Sequence, residues 1–79
     1  MELTAKAYVV AEETKFSDSI TIHGTFLNYK EAKLCQLEKA VERSSKTHKE
    51  ITVLSNEGTD SLMIGESVII IITKSVRIE

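Results

Sequence analysis

The sequence predicts an α+β fold: one small domain in which a single helix lies on one face of an antiparallel or mixed sheet, in the order β-β-α-β-β(-β). Three observations predict it. Two segments near the N-terminus alternate apolar and polar residues with period two. A stretch without glycine or proline follows a capping asparagine, and the last third is rich in β-branched residues broken by two short turn signals.

In the first segment Leu3, Ala5, Ala7, Val9 and Ala11 alternate with Thr4, Lys6, Tyr8, Val10 and Glu12, the pattern of a half-buried strand. Glu13 to Ser19 is polar and reads as a loop around Phe16. Ile20, Ile22, Gly24 and Phe26 then alternate with Thr21, His23 and Thr25, so the two strands form a hairpin with His23 on its outward face. Asn28 opens the helix, because its side chain can accept from the free amides of the first turn and Glu31 stands in capping-box position. The helix is expected from about Tyr29 to Ser44. Leu34, Leu37 and Val41 share a narrow sector of its surface, and that stripe is expected to pack on the sheet.

Ser44 to Lys49 reads as an exit loop, followed by a short strand with Ile51, Val53 and Leu54. Asn56-Glu57-Gly58 reads as a turn with Gly58 at positive φ. Leu62 to Ile64, the pair Gly65-Glu66, and a final strand over Val68 to Ile78 close the chain. Val68, Ile70, Ile72, Val76 and Ile78 occupy one face of this strand and Ile69 and Ile71 the other. A strand apolar on both sides is either central or meets a partner. Ile69 and Ile71 are the residues expected to carry self-association.

Seventy-nine residues make one domain, 1–79, and apolar (42%) and charged (28%) fractions are those of a folded globule rather than a disordered chain. A domain of this size buries only roughly 60–65% of its unfolded surface, so it gains from an additional stabiliser. With one cysteine, Cys35, and two separated histidines, His23 and His48, neither a disulfide nor a zinc site is expected, which leaves a homodimer. No cofactor is expected. Charged residues interrupt any apolar leader, and the longest apolar run, Val68 to Ile72, is far short of a membrane helix, so no membrane association is expected. A single thiol suits a reducing compartment, and a cytoplasmic location is expected.

The net charge of −2 marks no partner by itself. The middle of the chain is the basic part, because residues 29–50 hold six Lys or Arg against four Asp or Glu. Gln36, Lys39, Arg43 and Lys46 fall together opposite the apolar stripe and, with Lys49, are the expected partner-binding residues, either for an acidic protein surface or for phosphates. Three of these cations on one helix, without an interleaved aromatic, also describe an ordinary solvated face. Catalytic residues are not expected. Carboxylates near Cys35 raise a thiol pKa, and paired-carboxylate, HExxH, CxxC and phosphate-loop spacings are missing.

Residues 5–43 carry Lys6-Ala7-Tyr8-Val9-Val10, His23-Gly24-Thr25-Phe26 and Lys30-Glu31-Ala32-Lys33. In this the chain resembles small accessory proteins of bacteriophage and mobile-element genomes, and in size and element order it is similar to compact inhibitors of CRISPR surveillance complexes. That resemblance implies a phage-encoded inhibitor that occludes a host protein or protein–nucleic acid complex in the host cytoplasm. Residues 53–78, with Asp60-Ser61-Leu62-Met63-Ile64-Gly65-Glu66-Ser67-Val68 and Val76-Arg77-Ile78, are similar to the first strands of the carbon storage regulator family. That likeness implies the alternative, a small dimeric RNA-binding post-transcriptional regulator, although Asn56 and Glu57 stand where the family has arginines.

Overall fold

The computed structural model describes residues 3–56 and 59–77. The elements are β1 (Thr4–Thr14), β2 (Ile20–Phe26), α1 (Tyr29–Thr47), β3 (Ile51–Asn56), β4 (Thr59–Ile64) and β5 (Ser67–Arg77). The strands form one sheet in the order β2-β1-β5-β4-β3, with every neighbouring pair antiparallel. The predicted α+β class holds, with a single helix laid over the sheet among the described residues. The turn expected at Glu57-Gly58 lies outside the described residues.

Local chemistry accounts for the boundaries. The Asn28 side chain accepts from the Lys30 amide at 2.8 Å and opens α1 as expected. The helix continues past Ser44 to Thr47, one turn beyond the expected end. It stops at His48, which takes the left-handed conformation (φ 57°) and donates its amide to the Ser44 carbonyl at 2.9 Å. The β4–β5 turn has two central residues, between the paired Ile64 and Ser67. Gly65 sits at φ +60°, which a side chain would strain.

The pairing of β1 with β2 is broken once. Val10 pairs with Gly24 and Ala11 with Ile22, so His23 is an extra residue, a β-bulge. On the C-terminal side of the bulge the Phe26 ring lies over Gly24, where an added Cβ would come within 2.8 Å of it.

Side chains on a strand alternate between faces, so the core residues reveal which face the helix covers. Val10, Leu62, Ile64, Ile69 and Ile71 are buried with Ala32 and Ala40 of α1, and Tyr8, Phe26 and Cys35 pack against them. The covered face therefore carries Tyr8, Val10 and Glu12 of β1, and Ile69 and Ile71 of β5. The set Ala5, Ala7, Val9 and Ala11 faces away from the helix, as does Val68, Ile70, Ile72 and Val76. Two expectations are corrected here. Ile69 (0% exposed) and Ile71 (6%) are core residues and are not available for self-association. The more apolar face of β1 is the one the helix leaves uncovered.

The helix is likewise reversed. Its buried residues are Ala32, Gln36 and Ala40, spaced four apart on one side. Leu34 (61% exposed), Leu37 (43%) and Val41 (57%), expected to pack on the sheet, point outward. Alanines let the helix backbone approach the sheet closely enough for Gln36, fully buried, to donate its amide to the carbonyls of Asp60 (3.1 Å) and Ile69 (2.9 Å).

Gln36→Leu fills the same space but removes the donor shared by two strand carbonyls, one of them buried. A cost of about 2 kcal/mol is expected, read as a fall in Tm of roughly 8–16 °C for a domain of this size. An unchanged Tm by circular dichroism would contradict the pinning role.

Candidate functional site: two carboxylate clusters under the helix and two bare apolar faces

The covered face of the sheet presents two acidic side chains to the helix, and each is met by a set of donors from it. Glu12 is 5% exposed. Arg43 approaches its carboxylate through two nitrogens, Nε to Oε2 at 2.8 Å and Nη2 to Oε1 at 3.0 Å. His23 Nε2 lies 2.7 Å from Oε1. The bulge in β2 makes this contact, since it takes His23 out of strict alternation and turns it towards α1. The expected outward position of His23 is therefore corrected.

Asp60, on β4, is engaged at the other end of the helix. The Tyr29 hydroxyl donates to its Oδ2, and Lys33 Nζ bonds both Asp60 Oδ1 and the Gln36 side-chain oxygen at 2.8 Å. Tyr29 is also fixed by an edge-to-face contact with Tyr8, the ring centroids 5.6 Å apart. Among the described residues no buried side-chain polar atom lacks a partner.

Burial pushes the Glu12 carboxyl up, but the hydrogen bonds from Arg43 and His23 and the guanidinium charge outweigh it, and the group is held below its ordinary value. Asp60 behaves alike, with burial overcome by its bonds from Lys33 and Tyr29. Donating that bond to Asp60 raises the Tyr29 hydroxyl. Burial raises the Cys35 thiol, which is half-buried.

The expected partner-binding residues separate. Gln36 is fully buried and is not offered to a partner, and Arg43, its side chain 38% exposed, is paired with Glu12. Lys39 pairs with Glu42 at 3.5 Å, and Lys46 and Lys49 are exposed. Within this row Gln36 and Arg43 turn towards the sheet, whose inner side holds the acids and carbonyls they meet, while Lys46 and Lys49 stay exposed. A cleft of about 630 Å³ opens beside Glu12, but its cations Arg43 and Lys49 are matched by Glu12 and Glu66, so it favours neither sign of ligand. Among the described residues no group of three His, Cys, Asp or Glu side chains is placed to hold a metal, and no helix is long and apolar enough to cross a membrane.

The exposed surface carries two apolar areas. One is the outer side of α1, where Leu34, Leu37 and Val41, with Glu38 and Glu42, line a shallow groove of about 400 Å³. The other is the uncovered sheet face. Sequence reasoning grouped both sets of residues by periodicity, but expected the helix stripe to pack on the sheet. No family model, curated protein or solved structure matches the chain.

Because Glu12 and Asp60 are held below their unfolded values, the unfolded chain takes up protons first as pH falls. Their contribution is complete above the ordinary carboxylate value, 4.5 for Glu12, and is lost as the pH drops through the lowered folded values. Glu12→Gln should lower stability at pH 7 by roughly 1–3 kcal/mol and flatten the acid limb of a urea-midpoint-against-pH series. A variant limb as steep as that of the parent would exclude Glu12 as its source.

Proposed function

We propose that the chain is a non-catalytic binding protein that works by covering part of another protein with the outer side of α1. The observation that carries this reading is the placement of Leu34, Leu37 and Val41 at i, i+3 and i+7, exposed on a helix whose inner side is Ala32, Gln36 and Ala40. A helix normally turns its large aliphatic residues to its own core, so an outward stripe suits a helix-in-groove or helix-on-helix contact.

The rim states the chemistry of the partner. Glu31, Glu38 and Glu42 flank the stripe on one side and are exposed, while Lys30 and Lys33 border Leu34 at its N-terminal end and Lys33 is paired with Asp60. The matching surface is an apolar segment bordered by Lys or Arg, an amphipathic basic helix being the simplest form. A stoichiometric inhibitor or adaptor, the expectation drawn from the likeness of residues 5–43 to phage accessory proteins, is a member of this class. A catalytic reading gains no support, since His23 is held by a carboxylate that Arg43 already neutralises. The nucleic-acid reading is weakened by the loss of Arg43 from the exposed cations.

Two synthetic amphipathic peptides, one of Leu and Lys and one of Leu and Glu, separate the outcomes. The Leu/Lys peptide should bind one to one and weaken with added salt, and the Leu/Glu peptide should bind poorly. Leu37→Glu should cost at least tenfold in affinity, since burying a leucine contributes about 1.5–3 kcal/mol. Equal binding of both peptides, or no loss in the variant, counts against this face.

A further inference from the structure

The uncovered side of the sheet is a second apolar area, on the opposite side of the molecule from the outer face of α1. We infer that it is the contact between two copies of this chain, packed sheet face to sheet face.

Alternation along the paired strands defines the face. Val9 and Ile70, both half-buried, and Ile72 (43% exposed) form its centre, with Ala7 and Ala11 buried in its floor. Ile20 (61% exposed) and Ile22 (58%) of β2 flank it on one side, and Met63 of β4 and Leu54 of β3 on the other. No described element lies over these residues.

The end of the sheet shows that this polarity is not a by-product of the core. There Thr4 to Tyr8 pairs with Thr73 to Arg77. On the helix-side face this ribbon carries Thr4, Lys6, Thr73, Ser75 and Arg77, with Tyr8 where it meets the core. On the other face it carries Ala5, Ala7 and Val76, with Lys74. Beyond Tyr8, the apolar residues follow the uncovered side.

The area fits a second copy. The chain exposes 5881 Å², whereas a compact monomer of 8.8 kDa exposes about 4,800 Å². The surplus, about 1,100 Å², is spread over the whole molecule, the α1 stripe included, and is larger than the roughly 800 Å² that each partner loses in a standard stable interface. The shape agrees, at 50 × 25 × 23 Å. So does the charge pattern. Among the described residues the face has one acid, Glu13, opposite Val68, and one base, Lys74, opposite Ala7, at opposite ends of the same strand pair. A two-fold axis lying across the strands sets Glu13 of one copy beside Lys74 of the other and superposes the apolar centres, as an isologous contact requires.

The test is the mass of the full chain by sedimentation equilibrium from micromolar to millimolar concentration. The expected result is twice 8.8 kDa, unchanged in high salt. Ile22→Lys, at a site already 58% exposed, should return the mass to that of one chain with its circular dichroism intact. Ile70→Lys should do the same from the centre of the face. Leu37→Lys should leave the mass doubled while abolishing Leu/Lys peptide binding, so the two surfaces fail separately. A chain that stays monomeric throughout overturns the inference. So does a dimer that survives Ile22→Lys and is lost in Leu37→Lys, unlimited growth through the edge strands β2 and β3, or a monomer that instead floats with lipid vesicles.

Discussion

Two carboxylates on the covered side of the sheet decide how the rest of the chain is arranged. Glu12 and Asp60 lie under the helix, and a buried or half-buried carboxylate is tolerable only when charged or polar donors reach it. The helix has one side that supplies them: Tyr29, Lys33, Gln36 and Arg43, interleaved with Ala32 and Ala40. Turning that side inward satisfies both acids. It also turns Leu34, Leu37 and Val41 to the outside, since they occupy the opposite sector. The direction of the helix's apolar stripe follows from the acids beneath it rather than from hydrophobicity alone.

This arrangement gives the domain an interior that is polar at both ends of the helix and apolar in the middle, where Val10, Leu62, Ile64, Ile69 and Ile71 meet the alanines. Such a core specifies one orientation. Rotating the helix about its axis would strand Glu12 and Asp60 and pull Gln36 from the strand carbonyls, which costs more than the aliphatic burial would return. The apolar stripe and the bare sheet face are what remains once that orientation is fixed, and they lie on opposite sides of the molecule. A molecule of this construction suits simultaneous contact with a copy of itself and with a different partner.

Much of the fold was legible in the sequence. Strand and helix periods, the Asn28 cap, the Gly65-Glu66 turn and the element order all rest on local rules that need no tertiary information. Facing was not legible, because the more apolar side of an element is taken as its inner side. That rule fails for β1 and α1, where Glu12 and Arg43 seek each other across 31 positions of chain. A cue did exist: Glu12 and Lys6 share a face with Tyr8 and Val10, and Gln36, Lys39 and Arg43 form a matching row on the helix. Complementary charges on two amphipathic elements can bring their polar sides together. The position of His23 was hidden for a different reason, since a bulge leaves no mark in a strictly alternating segment apart from the neighbouring Gly24.

That bulge sets the chemistry of the layer beneath the helix. Were the two strands paired in strict register beyond Val10 and Gly24, His23 would stand opposite Ala11 on the far side and Ile22 opposite Glu12 beneath the helix. The bulge therefore acts as a phase shift in β2, exchanging an aliphatic neighbour of the carboxylate for one that can hydrogen-bond to it. A one-residue step in pairing, rather than any change of residue type, separates an interior able to host a carboxylate from one that would expel it.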